Sequence, residues 1–181
     1  MTAIVGLVQN GAVHIGGDSA GIGGWSLSVR ADLKVFENGP YIMGFTTSFR
    51  MGQLLRYSLK TPEPDGDLER FMATTFVDCV RDCLKEGGWM QKDSEREQGG
   101  EFLVGVRGRL FECSLDFQIA EDLDGYTAVG AGFEIALGAL HATSRTRMAP
   151  QKRLRTALEA AERHSAAVRG PFTFLSQAAA P

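Results

Sequence analysis

The sequence has little of what builds a disulfide scaffold, a nucleic-acid surface or a membrane span. Its three cysteines are an odd number without framework spacing. That excludes a disulfide-stapled secreted domain and suits a reducing compartment. The balance of 19 Lys+Arg against 22 Asp+Glu, net −3, lacks the basic excess of a dedicated nucleic-acid binder. No apolar run approaches membrane-spanning length, and Met1-Thr2-Ala3-Ile4 has neither a basic n-region nor a long apolar core. Walker-type and dinucleotide glycine patterns are missing, as are repeats and long linkers. What remains is 181 residues, 44% hydrophobic and 23% charged, the profile of one globular domain spanning 1–181. A soluble, cytoplasmic protein that engages no nucleic acid and no membrane is expected.

The first fifty residues read as strands and turns. Ala3–Val8 and Ala12–Gly17 are apolar runs joined through Asn10-Gly11, a pair that tolerates the positive φ of a tight hairpin turn. A glycine-rich stretch, Gly21-Ile22-Gly23-Gly24, is too flexible for a helix interior. Val35-Phe36 and Tyr41–Phe45 flank Asn38-Gly39 as a second hairpin. Helical spacing follows at Met51, Leu54, Leu55 and Leu59, and the two prolines and glycine of Thr61–Asp67 end it. Asp67 is an N-cap for a second helix with a stripe of Leu68, Phe71, Met72, Phe76, Cys79, Val80 and Cys83. Lys85–Gly100 reads as an exposed polar loop. Strands return at Phe102–Val106, Leu110–Ser114 and Tyr126–Val129. Helices are expected at Phe133–His141 and from Pro150 to Ser165, with a last strand at Phe172–Leu175. Antiparallel hairpins with helices in consecutive pairs predict an α+β fold of two sheets between helix layers, not a parallel βαβ sheet.

Chemistry concentrates at the N-terminus. Thr2 follows the initiator, and removal of Met1 would leave a threonine with a hydroxyl nucleophile and an α-amine on one residue. Such an amine, with a pKa of roughly 7.7–8.0, is partly neutral near pH 7 and able to act as a base. Asp18 ends the second strand of the first hairpin, which returns it toward the N-terminus. Lys34 stands just before the apolar Val35-Phe36, where a strand can carry its ammonium inward. An ammonium beside Thr2 would favour its alkoxide, and a carboxylate would keep that ammonium charged and oriented.

Thr2-Ala3-Ile4-Val5-Gly6, then Gly16-Gly17-Asp18-Ser19, then Lys34-Val35-Phe36 resemble the proteasome β-subunit family of N-terminal nucleophile (Ntn) hydrolases. Counted from Thr2 as first residue, the offsets of Asp18 and Lys34 agree with the family's Thr, Asp and Lys triad. The resemblance continues through Gly44-Phe45, the helix pair and Ala128-Val129-Gly130-Ala131-Gly132 to Leu158–Phe174, and the compact length is similar to HslV-type subunits. It implies a four-layer αββα sandwich with catalytic Thr2, Asp18 and Lys34 and no cofactor or metal. It also implies peptide or unfolded-protein substrates and a homo-oligomeric ring, and it leaves an ATPase partner open. Three positions depart from the family pattern. Ala131 stands where a serine helps hold the terminal amine. The aspartate usual at the end of the last helix is absent, His164 being the nearest candidate support. The oxyanion loop, glycine-rich in the family, reads Thr46-Thr47-Ser48, leaving the Thr47 backbone N–H as donor. These departures raise the alternative of a silent structural subunit with the same fold.

A rival pattern overlaps the segment. Gly17-Asp18-Ser19-Ala20-Gly21 fits G-x-S-x-G, which would make Ser19 an esterase nucleophile, but that elbow requires a strand before it and a helix after it. Cys79 and Cys83 share a helix face and are read as core thiols, since nothing nearby completes a tetrahedral metal set. His14 is expected in core packing and His141 at a helix C-terminus. Lys152, Arg153 and Arg155 are expected as a solvated or subunit-contacting basic face.

Overall fold

A computed structural model describes residues 2–93 and 96–178. Strand β1 (Ile4–Gln9) turns at Asn10 and Gly11, both at positive φ, into β2 (Ala12–Gly17), pairing Ile4 with Gly17 and Gln9 with Ala12. A small ribbon follows, β3 (Ala20–Gly23) and β4 (Ser26–Val29), then β5 (Val35–Asn38) and β6 (Tyr41–Phe45). Helix α1 spans Phe49–Tyr57 behind an N-cap at Ser48. Helix α2 (Leu68–Phe71) runs through a π-helical turn, Met72–Phe76, into α3 (Val77–Glu86). After them come β7 (Gln91–Asp93), β8 (Arg96–Gln98), β9 (Phe102–Val106), β10 (Arg109–Cys113), β11 (Ile119–Ala120) and β12 (Tyr126–Val129). The chain closes with α4 (Phe133–Thr143), α5 (Pro150–His164) and β13 (Thr173–Gln177).

Two antiparallel sheets, β12-β1-β2-β13 and β11-β10-β9-β6-β5, lie face to face. Strand alternation builds three apolar layers from them. Val5 and Leu7 of β1, with Ala3 just before it, face α4 and α5, where they meet Leu140, Leu154 and Leu158. Ile4 points the other way and joins Val13, Ile15, Ile42, Leu103 and Leu110 between the sheets. On the far side, Met51 and Leu55 of α1 and Val80 and Leu84 of α3 cover Met43 and Phe102. The expected αββα sandwich is the fold observed. Glycines let the sheets approach: a Cβ at Gly44 would stand 2.6 Å from Ile4 Cγ2, and one at Gly105 would stand 2.6 Å from Val13 Cγ1.

Several elements differ from expectation. The glycine-rich stretch after Asp18 is half of the β3–β4 ribbon, and β7–β8 replaces the expected loop within 85–100. The β7–β8 ribbon carries no apolar residue to mark it as strand, and in β3–β4 the alternation at Ile22, Leu27 and Val29 spans only four residues a strand, with Leu27 and Val29 exposed outside the sandwich core. The stripe of the second helix is also re-phased. The π-helical turn brings Phe71 and Phe76, five residues apart, onto one buried face. Val77 and Leu84 are buried, whereas Cys79 and Cys83 are only partly so. Asp67 caps its helix as expected, its Oδ1 accepting from Glu69 N and Arg70 N. Arg153 corrects the solvated basic face: it is 7% exposed and donates to Leu140 O at the end of α4. His14 meets Ser176 Oγ at 2.7 Å, and His141 meets the Tyr126 hydroxyl at 2.8 Å. Among the described residues no helix is long and apolar enough to cross a membrane.

Candidate active site

Pairing of β1 with β2 sets Ala3 and Asp18 side by side at the end of the first sheet. Asp18 N donates to Ala3 O at 3.3 Å, and Ala3 N donates to Asp18 Oδ1 at 3.2 Å. Lys34 precedes β5 in the opposite sheet and is held by Phe45 N donating to its carbonyl at 3.1 Å. Its side chain crosses between the sheets to meet Thr2. Three residues far apart in the chain thus converge at one end of the inter-sheet layer, and all are buried: Thr2 is 4% exposed, Asp18 2% and Lys34 2%.

The Lys34 ammonium has three acceptors for its three protons. It donates to Thr2 Oγ1 at 2.6 Å, Asp18 Oδ1 at 2.8 Å and Ala20 O at 2.6 Å. Asp18 also accepts from Ala20 N at 3.0 Å and Arg169 N at 3.1 Å on Oδ2. The carboxylate is therefore fixed by backbone from the residue before β1, from β3 and from the segment after α5. Burial pushes the Lys34 ammonium below the usual lysine value, and Asp18 opposes that shift through its charge and hydrogen bond. A Thr hydroxyl oxygen held against a desolvated cation is stabilised in its ionised form, the form that attacks carbonyls.

Thr2 opens into a small cleft of about 70 Å³ lined by Ile22, Phe45, Thr46, Thr47, Ser48 and Phe49. That volume admits a carbonyl-sized group or a water or two, so a longer substrate would lie across its mouth. Thr47 carries unusual backbone geometry there. Its φ is +59°, and Ser48 N donates to Thr46 O at 2.6 Å, which makes Thr47 the centre of a γ-turn of the rare positive-φ kind. A β-branched residue in that region is strained. Its hydroxyl helps to hold it by accepting from Glu101 N at 3.1 Å.

The other expected residues fall in different places. Ala131 is exposed in the turn between β12 and α4, and its neighbours do the contacting. Gly132 N donates to Thr2 O at 3.4 Å, and a Cβ at Gly130 would lie 2.4 Å from that same oxygen. His164 is exposed at the last residue of α5, and no hydrogen bond joins it to Thr2, Asp18 or Lys34 among the described residues. The segment just beyond it reaches the site instead, through the Arg169 amide. Ser19 is 6% exposed and donates to Pro171 O at 2.5 Å. Strand β3 follows it where an esterase elbow needs a helix. Met1, whose removal the reading of Thr2 requires, lies outside the described residues. Sequence reasoning missed the Ala20 carbonyl and the Arg169 amide, which carry no side-chain signal. Among the described residues, no group of three or more His, Cys, Asp or Glu could hold a metal ion.

No family model and no curated protein sequence matches the chain. Solved structures do. Thiobacillus denitrificans BPH in complex with epoxomicin superimposes with a TM-score of 0.84 at 19% identity, covering 99% of this chain and 100% of that one. Eukaryotic HslV from Trypanosoma brucei gives 0.72 at 17% identity, covering 97% and 98%. Anbu, the ancestral β-subunit from Yersinia bercovieri, gives 0.67 at 15% identity, covering 97% and 81%. The chain has the HslV/proteasome-like fold.

Proposed function

We propose that this chain is an N-terminal threonine hydrolase that cleaves peptide or amide bonds through an acyl-enzyme on Thr2. The observation that carries the reading is the buried contact of Lys34 Nζ with Thr2 Oγ1 at 2.6 Å, backed by Asp18 at 2.8 Å. After loss of Met1, Thr2 Oγ attacks the substrate carbonyl carbon. Its proton passes to the Thr2 amine, directly or through a water, and the carbonyl π pair moves onto oxygen. Lys34 stabilises the negative charge at Oγ, Asp18 orients Lys34, and the Thr47 N–H binds the oxyanion. Collapse of the intermediate returns the pair to the carbonyl and expels the leaving amine, which takes the proton from the Thr2 ammonium. Water then hydrolyses the ester. Substrates are peptides or unfolded chains, and the working form is a ring of copies. The exposed Trp25, Leu27 and Val29 of the β3–β4 ribbon suit such burial in an assembly.

Intact mass spectrometry with and without a β-lactone that acylates terminal threonine tests this. The expected result is loss of Met1 and one adduct that disappears in Thr2→Ala. A processed chain with no adduct would make the protein a structural subunit, and an adduct surviving Thr2→Ala would place the nucleophile elsewhere.

A further inference from the structure

A terminal amine that serves as a base must itself be oriented, as the base of any nucleophile–base pair is oriented by a third group. Four hydroxyls line the cleft at Thr2. Thr2 Oγ1 accepts from Lys34, Thr47 Oγ1 accepts from Glu101 N, and Ser48 Oγ accepts from Arg50 N. Thr46 is the exception. It is 4% exposed, and its Oγ1 makes no hydrogen bond among the described residues, nor is that oxygen sealed in the core. The Thr46 backbone is already committed, its N–H to Glu101 O and its carbonyl to Ser48 N, so the hydroxyl is the one group it has free.

The position of that hydroxyl is set by Gly130. The point where a Cβ at Gly130 would sit lies 2.4 Å from Thr2 O and 2.8 Å from Thr46 Oγ1. The glycine, with φ +95°, leaves a gap through which the Thr46 side chain faces the Thr2 main chain. The oxygen is open to the cleft, so it is available to a group beside Thr2 or to a bridging water.

Resting on the threonine-hydrolase reading, we propose that Thr46 is a positioning residue. Its Oγ accepts a hydrogen bond from the terminal amine of Thr2, directly or through one water, and turns the amine lone pair toward Thr2 Oγ. The same bond favours the protonated amine that forms when Oγ attacks, so it strengthens the base as it aims it. The charged side chains already facing Thr2 are Lys34 and Asp18; Arg30 and Asp32 also act on Lys34, and Glu101 adjoins Thr46 through its backbone.

The test is the rate of Thr2 acylation by a β-lactone as a function of pH in Thr46→Val, Thr46→Ser and the wild-type protein, with thermal midpoints alongside. Thr46→Val keeps the shape and loses the hydroxyl. It is expected to acylate about tenfold more slowly, with its acid limb moved to lower pH, and Thr46→Ser is expected to restore both. A folded Thr46→Val with wild-type rate and limb overturns the inference and leaves the hydrolase reading intact. Should Thr46→Val not fold, Thr46→Ser decides alone: wild-type rate and limb support the inference, and a loss as large as that expected for Val overturns it. If the processed wild-type protein forms no adduct at Thr2, the underlying reading fails, and this inference with it.

Discussion

Arg30 and Lys34 are near neighbours in sequence, and each holds an aspartate, Asp32 at 2.7 Å and Asp18 at 2.8 Å. The first pair sits in solvent, with side chains 39% and 39% exposed; the second is at 1% and 0%. Geometry alone does not separate them. What differs is the cost of removing one partner. In solvent a lost partner is replaced by water and ions. Between the sheets nothing replaces it, and the remaining charge is stranded. The buried pair is consequently a poor device for stability and a good one for chemistry, since it keeps a desolvated cation against a hydroxyl.

The largest effect should come from breaking the buried pair. Asp18→Asn leaves the Lys34 ammonium uncompensated and is expected to destabilise the fold by about 3–5 kcal/mol, read as a lowered urea midpoint. Adding Lys34→Met removes the stranded charge and should recover part of that loss while leaving Thr2 inert. A double variant no more stable than Asp18→Asn would mean that the charge itself was not the cost.

Titration of Lys34 sharpens the contrast without mutation. Its folded-state pKa is lowered by burial, so between that value and the ordinary lysine value the unfolded chain binds more protons than the folded one. Stability therefore rises with pH across that window. Acylation of Thr2 runs the other way: its rate should fall as Lys34 loses its proton, at a pH below the ordinary lysine range. A rate–pH profile checks this, and an alkaline limb at the ordinary lysine value would remove Lys34 from the chemistry. The smallest effect belongs to the solvent pair, where Asp32→Asn should change unfolding free energy by about 0.2–1 kcal/mol and leave Thr2 acylation near its original rate.

Much of this molecule is legible in its sequence. Asn10-Gly11 demands positive φ and so announces the first hairpin, Asp67 caps a helix through its own side chain, and β1 reads apolar on both faces. These are local properties, set by residues that touch their near neighbours. The spacing of Thr2, Asp18 and Lys34 is legible too, because strand pairing converts fixed offsets into fixed positions. Other features depend on segments distant in sequence. The Arg169 amide reaches Asp18 and the Ala20 carbonyl reaches Lys34 as backbone groups with no residue signature. The γ-turn at Thr47 is stabilised by Glu101, the residue just before β9, against the local preference of a β-branched residue. Ala131 and His164 read as support by position, but the turn at Gly130–Gly132 and the segment after α5 make their contacts through backbone instead. The sequence by itself determined the layers and the convergence of Thr2, Asp18 and Lys34, because periodicity and pairing act over short range. The tertiary structure alone decided which backbone groups fill the site and which hydroxyl is left uncommitted, because both depend on where separate elements meet.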